Sequence, residues 1–376
     1  MKKDIWEKDF SMKIYMFIAL MGIGGAERVC VSLANEFAAA GYEPHIVVLN
    51  LKNDVNTHLL DSRCRVHELG VSRLRYAAPA MVRFMHKHRP ESILVFGNEM
   101  GIILNTLRKF KLIQVKIILR VLNNVNISFS KEEHVSKTVE KYLKKQQKQL
   151  KDMEHVVAQC QAMRDMILDR ELVSDEKITA IYNPVSEKIV QAVEKLPREE
   201  KEGYQFTFIG RLDPQKNLPH LLSAFKLVLE KRQDVSLHLV GDGILKEQLQ
   251  EEACRLNIDK HVFFEGMRKD IEHVYCASDV VVLSSEYEGM PNCLIEAIAC
   301  GIPVVSYDCP IGPKEIIVDD VNGYLVSFMN VDELAQKMLL AVEKEWQPEN
   351  IKKTAEKFRA AVVAKQYLKV LGLGRK

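Results

Sequence analysis

The stretch Glu288-Gly-Met-Pro-Asn-Cys-Leu-Ile-Glu296 stands between the apolar run Val280–Leu283 and a Gly-Ile-Pro turn at 301–303 that leads into a second apolar run. A turn that opens a helix, placed between two apolar strands, is the repeating unit of a parallel sheet. Pro291 suits the first helical position, where a missing N–H is no loss. The N–H groups of the first helical turn make a positive end for an anion. Glu288 and Glu296, eight positions apart, fall on nearly the same side of the expected helix. Taken alone, these residues fit a site for a phosphorylated ligand and equally fit an ordinary helix start with two solvated carboxylates.

The surrounding pattern supplies the context. Downstream of Tyr204, strand-like runs at 206–209, 236–240, 262–264, 280–283 and 303–306 alternate with helical stretches at 218–231, 244–256, 271–277 and 291–300. Upstream, strand-like runs recur at 13–20, 44–49, 93–96, 115–121, 155–158 and 178–184, with helices at 29–40, 78–88 and 102–109. Such alternation predicts parallel sheets covered on both faces. Between 186 and 203 the chain turns charged and loses apolar periodicity, which marks a domain boundary. The fold class is therefore α/β: two doubly wound Rossmann-like domains, at 1–186 and 187–350, with their parallel sheets facing a cleft. Two further helical stretches, 331–345 and 351–371, follow.

Composition limits the function. The chain has 376 residues, 47% hydrophobic and 28% charged, as expected of a globular protein. Eight cysteines carry no C-x-x-C pair and no Cys/His cluster, so neither a disulfide framework nor a zinc site is expected, and a reducing cytoplasm fits. The first eleven residues lack the apolar core of a secretory signal, and no apolar run reaches the ~18 residues of a membrane span. Net charge is +2, but residues 70–155 hold 17 Lys+Arg against 7 Asp+Glu. Within that excess, 131–151 reads as a helix bearing Lys137, Lys141, Lys144, Lys145, Lys148 and Lys151. It is either a solvated face or a face for anionic lipid, where each basic residue contributes about 1 kcal/mol.

Two loops carry the residues for phosphate chemistry. After the strand at 206–209 comes Gly210-Arg-Leu-Asp-Pro-Gln-Lys-Asn217, which sets Arg211 and Lys216 in one strand-to-helix loop. Two cations there can grip a diphosphate, the guanidinium forking across its oxygens, and equally fit two surface cations in a loop. Val240-Gly-Asp-Gly243 is a glycine turn after another strand, either approaching a ligand or simply tight. Near the start, Met21-Gly-Ile-Gly-Gly-Ala-Glu-Arg28 joins a strand to a helix; it is not the dinucleotide fingerprint, because Glu27 stands where the third glycine belongs. The sequence contains no D-x-D, no G-x-x-x-x-G-K-[ST] and no G-x-S-x-G. A bound diphosphate would then be neutralised by protein cations and helix ends, with no metal expected.

From Lys13 to Tyr367 the chain resembles the retaining glycosyltransferases of family 4, whose fold is GT-B. The E-x7-E motif of that family matches Glu288 and Glu296, its cation pair matches Arg211 and Lys216, and its G-G-A-E loop matches Gly24, Gly25, Ala26 and Glu27. The resemblance implies catalytic roles for Arg211, Lys216 and Glu288. It implies donor binding by Gly24, Gly25, Gly210, Gly289, Met290, Asn292, Cys293, Leu294 and Glu296, the last at the ribose hydroxyls. It also implies that the first domain binds the acceptor and that the final helix, about 351–376, packs back on it. Many members carry a histidine after the strand at 115–121. Here the chain reads L-R-V-L-N-N-V-N, so Arg120 or Asn123, with Glu27, is expected to make the first-domain contacts.

Asp308-Cys-Pro-Ile-Gly-Pro-Lys-Glu315 resembles the subgroup that builds lipid-linked polysaccharides and glycans. The expectation is transfer of a hexose or N-acetylhexosamine from a UDP-sugar to a saccharide on a polyprenyl diphosphate. Such an enzyme would be cytoplasmic, peripheral at the inner membrane face through 131–151, and would need no cofactor, metal or nucleic acid partner. The rival readings are a non-catalytic nucleotide-sugar-binding subunit and a phosphorylase or epimerase of the same architecture.

Overall fold

Alternating strands and helices build two separate parallel sheets. The structure, a computed structural model, describes residues 12–22, 24–52, 54–122, 149–197 and 201–373. Asn123 and most of the basic stretch expected at 131–151 lie outside the described residues. One unit takes its residues from 1–159, 164–184 and 360–376, and the other from 160–163 and 185–359.

The first unit's sheet comprises β1 (Lys13–Phe17), β2 (Glu43–Val48), β3 (Arg65–Glu68), β4 (Ser92–Phe96), β5 (Lys116–Arg120), β6 (His155–Ala158) and β7 (Ile178–Ala180). Their order is β3-β2-β1-β4-β5-β6-β7, with every described pairing parallel. The second comprises β8 (Tyr204–Ile209), β9 (Val235–Val240), β10 (Val262–Gly266), β11 (Val280–Leu283), β12 (Val304–Tyr307) and β13 (Gly323–Val326), ordered β10-β9-β8-β11-β12-β13, again parallel. The order reverses between β1 and β4 in one sheet and between β8 and β11 in the other. Helices leave to opposite faces on the two sides of such a switch, and open α/β sheets bind ligands there, beyond the carboxyl ends of the strands.

Two strands escape the sequence pattern. β3 is the short polar run Arg-Val-His-Glu, and β13 is a run of four that opens on Gly323; each sits at a sheet edge and is too short to show an alternation. Helices Gln161–Asp169 and Glu187–Lys195 form where no element was expected. The tail stretch at 351–371 is not one helix. It divides into Pro348–Thr354, a tight turn Glu356–Phe358, and the helix Ala360–Val370.

That last helix belongs to the first unit, as the resemblance implied, and the second unit ends at Arg359, nine residues beyond the end expected at 350. Its Val363, Tyr367 and Leu368 join Val29, Leu33 and Phe37 of the helix Gly25–Ala39 in one core. Just past the helix, the Leu373 carbonyl accepts a 2.7 Å hydrogen bond from Tyr42 Oη. On the same sheet, the helix Ala78–His88 lies over a cluster of rings. His45 and His67 stack with centroids 4.9 Å apart, His67 meets His88 at 5.1 Å, and Phe84 stacks on His88 at 4.2 Å. Among the described residues no helix is long and apolar enough to cross a membrane.

Candidate active site in the second unit

Both cations expected from the sequence lie in the loop after β8, at the topological switch. Phe208 and Ile209 carry the strand to the sheet edge, and Gly210 bonds its N–H to the Val240 carbonyl at 3.0 Å. The chain then closes a tight turn, Pro214–Lys216. Asn217 follows in the left-handed region (φ 47°) to start the helix Leu218–Leu229. Arg211 stays at the surface, its side chain 69% exposed. Its guanidinium donates to Asp213 Oδ2 at 2.9 Å and to Gln215 Oε1 at 3.3 Å. Lys216 turns inward instead.

The partner of Lys216 comes from the loop after β11. Its Nζ lies 2.5 Å from Glu288 Oε1, and both side chains are nearly buried, at 12% and 5% exposure. Burial alone would lower the lysine pKa. Burial is the largest single influence, but the Glu288 charge, Cys293, the hydrogen bond and Asp213 together outweigh it, so the pKa is raised and the ammonium stays charged. The two loops are stitched together further. Glu286 N–H donates to the Gln215 carbonyl, and Ser284 Oγ bonds the Lys216 carbonyl at 2.9 Å.

The helix after this loop begins one residue later than expected. Pro291 is the residue before the first helical position, in extended geometry (φ −71°, ψ 105°), and the helix runs Asn292–Ala299. Glu288 therefore lies outside the helix, and the picture of two carboxylates on one helical face does not hold. Glu296 is on the helix, 4% exposed, and its Oε2 accepts from Tyr275 Oη at 2.7 Å. Met290 and Leu294 are buried, at 5% and 0% exposure, and the Leu294 amide is engaged with the Pro291 carbonyl at 3.2 Å. The Cys293 thiol is pushed up to about 12, chiefly by burial, and is not a nucleophile.

Glycines set this geometry by close approach. A Cβ on Gly241 would fall 1.8 Å from the Gly210 carbonyl oxygen, and one on Gly243 would fall 2.3 Å from that of Leu212. The Gly-Asp-Gly turn after β9 is thus a support under the Arg211 loop. Gly312, at φ 102°, lies where a Cβ would come 2.8 Å from the Gly289 oxygen and 2.9 Å from Pro291 Cδ. The Cys-Pro-Ile-Gly-Pro segment is therefore packed against the start of the Glu296 helix.

In the first unit Gly24 precedes the helix Gly25–Ala39, and Glu27 lies in its first turn. The Glu27 carboxylate folds back so closely that a Cβ on Gly24 would meet it. Burial raises the Glu27 pKa, with its own backbone N–H and Arg120 opposing. Arg120 ends β5 at 1% exposure, bonded to Asn183 Oδ1, with its guanidinium 5.5 Å from the Phe96 ring. An arginine placed as a ligand contact is thus part of the first unit's interior. Residues that sequence reasoning missed are Asp213, Gln215 and Tyr275, because each acts through atoms distant in sequence or through a turn no motif marks.

Comparison with known proteins follows the same two halves. Residues 23–188 match the family described as Glycosyltransferase Family 4, and residues 191–358 match Glycosyl transferases group 1. The chain belongs to the family 4 glycosyltransferases. This family 4 member is 25% identical to an uncharacterized glycosyltransferase of Haemophilus influenzae over 341 residues, 88% of this chain and 90% of that one. Over 173 residues it is 32% identical to the UDP-Gal:alpha-D-GlcNAc-diphosphoundecaprenol alpha-1,3-galactosyltransferase of Escherichia coli, covering 43% of this chain and 44% of that protein. Several other curated relatives are matched over only about a third of their own length. The crystal structure of Anabaena HepE with UDP and glucose superposes with a TM-score of 0.78 at 20% identity, covering 96% of this chain and 99% of that one. The fold expected from the sequence, GT-B with two doubly wound parallel sheets, is the fold found.

Proposed function

We propose that this family 4 member is a retaining, metal-independent glycosyltransferase. It moves a hexose or N-acetylhexosamine from a UDP-sugar to a saccharide carried on a polyprenyl diphosphate. The observation that carries this reading is the nearly buried Lys216–Glu288 pair at 2.5 Å, beside Arg211, in the two loops that flank the β8/β11 switch. An ammonium has three donors and Glu288 engages one, so two remain for phosphate oxygens. Arg211 adds a forked donor at the surface. The two fixed cations stabilise the charge that develops on the departing diphosphate. The acceptor oxygen bonds the anomeric carbon as the bond to phosphate breaks on the same face. The acceptor's proton passes to the leaving phosphate oxygen, so no covalent nucleophile is needed.

In this reading Glu288 faces the transferred sugar and Glu296 the ribose, with Gly210, Gly289, Met290, Asn292 and Cys293 contributing backbone close to the donor. Gly24, Gly25 and Glu27 are assigned to the first-unit part of the reaction on the family resemblance. The names of relatives support the substrate class: one uses UDP-Gal and a diphosphoundecaprenol-linked acceptor, and another was crystallised with UDP. Peripheral attachment at the cytoplasmic membrane face through 131–151 completes the proposal. The test is UDP release across a panel of UDP-sugars, with and without a polyprenyl-diphosphate-linked saccharide and with EDTA present. Acceptor-dependent release from one donor is expected. Nucleotide binding without UDP release from any donor rejects the transferase in favour of a non-catalytic subunit.

A further inference from the structure

Gln215 makes three separate contacts from the middle of the Pro214–Lys216 turn. Its carbonyl accepts from Glu286 N–H at 2.9 Å. Its side-chain Nε2 donates to the Tyr287 carbonyl at 2.8 Å. Its Oε1 accepts from Arg211 Nη2 at 3.3 Å. The first two contacts fasten the cation loop to the segment that ends in Glu288, and the third reaches back to Arg211. Because the Arg211 side chain is 69% exposed, packing does little to choose its rotamer. A long side chain left so free loses considerable entropy when a ligand fixes it. Asp213 on Nη1 and Gln215 on Nη2 hold the guanidinium plane from two points. Two of its five N–H donors are used this way, which leaves three for an anion.

We propose that Gln215 is a positioning residue that aims Arg211 at the donor diphosphate and holds the Arg211 loop in register with Glu288. The identity of the anion rests on the donor reading above; the latch itself does not. A glutamine that merely stitched two loops would contribute equally whether or not residue 211 were an arginine. A glutamine that acts through Arg211 would contribute little once the guanidinium is gone.

Gln215→Met keeps the side-chain length, removes both side-chain hydrogen bonds and leaves the backbone bond to Glu286. Calorimetric affinity for UDP should fall about tenfold, the scale of one hydrogen bond to a charged group, with the melting temperature within about 2 °C of wild type. Combined with Arg211→Ala, the same change should add less than about twofold to the loss from Arg211→Ala alone. Fully additive losses, or an unchanged affinity in the single variant, overturn the proposal. A second measurement needs no ligand: the Arg211 Nε–Hε order parameter from NMR of ¹⁵N-arginine-labelled protein. It should drop in Gln215→Met, and an unchanged value overturns the latch. Should wild type bind no UDP, the donor reading falls, and this order parameter still decides the role of Gln215.

Discussion

Lys216 and Glu288 form a pair in which each member makes the other tolerable. Removing one partner of a nearly buried pair leaves an uncompensated charge. Lys216→Ala should therefore reduce turnover by at least ~10²-fold, the usual scale for one transition-state charge contact, and should also lower the melting temperature. Adding Glu288→Gln should recover much of the melting temperature but none of the turnover. Steady-state UDP release and thermal melts on the two variants separate these effects, and near-normal turnover in Lys216→Ala would remove it from the diphosphate role. Both charged residues were legible in the sequence because each follows an apolar run in a β-α alternation, where parallel sheets present loops to ligands. Their pairing was not legible, since 72 positions separate them and only the β8–β11 neighbourhood joins them. Arg120 shows the reverse side of this. A basic residue at a strand end looks available to a ligand, whereas its 1% exposure comes from neighbours such as Asn183 and Tyr367 that no local pattern announces.

At the scale of elements, the short strand-to-helix segments depend on tight backbone contacts. Gly312→Ala places a side chain at φ 102° and pushes it into the Gly289 oxygen and Pro291 Cδ. The strain should cost about 1–3 kcal/mol, and relief requires the 289–291 turn to move. UDP affinity by calorimetry should fall together with the melting temperature; an unaltered affinity would show that this turn is not part of the donor site. The ring cluster beneath Ala78–His88 gives a pH prediction. Burial, His45, His88, Lys87 and Arg65 hold the His67 pKa down at about 4, against an ordinary 6.5. Burial, then the neighbouring cations, lowers His88 as well; burial likewise lowers His45, with Glu43 opposing. As pH falls from 6.5 toward 4, the unfolded chain takes up protons that the folded one refuses, so stability is lost through that window and is flat above it. Melting temperatures from pH 7.5 to 4.5 should show this slope, and His67→Phe should flatten it. An equal slope in the variant would place the acid sensitivity elsewhere. The edge strands β3 and β13 were missed because each is only four residues long, one polar and the other opening on glycine, so neither shows a readable alternation.

At the scale of the molecule, the division into two doubly wound sheets was readable from periodicity and from the charged break after 186. The return of the last helix to the first unit was expected from the family resemblance and not from periodicity, because a helix that packs far from its sequence neighbours has the same amphipathic pattern as one that packs nearby. The helix Ala360–Val370 completes the first unit after the whole second unit has intervened. A chain ending at Arg359 should keep the second unit's amide protection in hydrogen exchange and lose protection in Gly25–Ala39. Equal protection in both would show the last helix to be dispensable. The same connectivity has a consequence for biosynthesis. The ribosome finishes the helix Gly25–Ala39 early, and at about 5–20 residues per second its covering helix arrives on the order of 15–70 s later. Throughout that interval the face around Val29, Leu33 and Phe37 has its partners from the sheet, such as Ile14, Met16 and Ile46, but lacks Val363, Tyr367 and Leu368, so the first unit closes last although it is made first. Chaperone demand and sensitivity to translation speed should therefore concentrate on the amino-terminal half of the nascent chain.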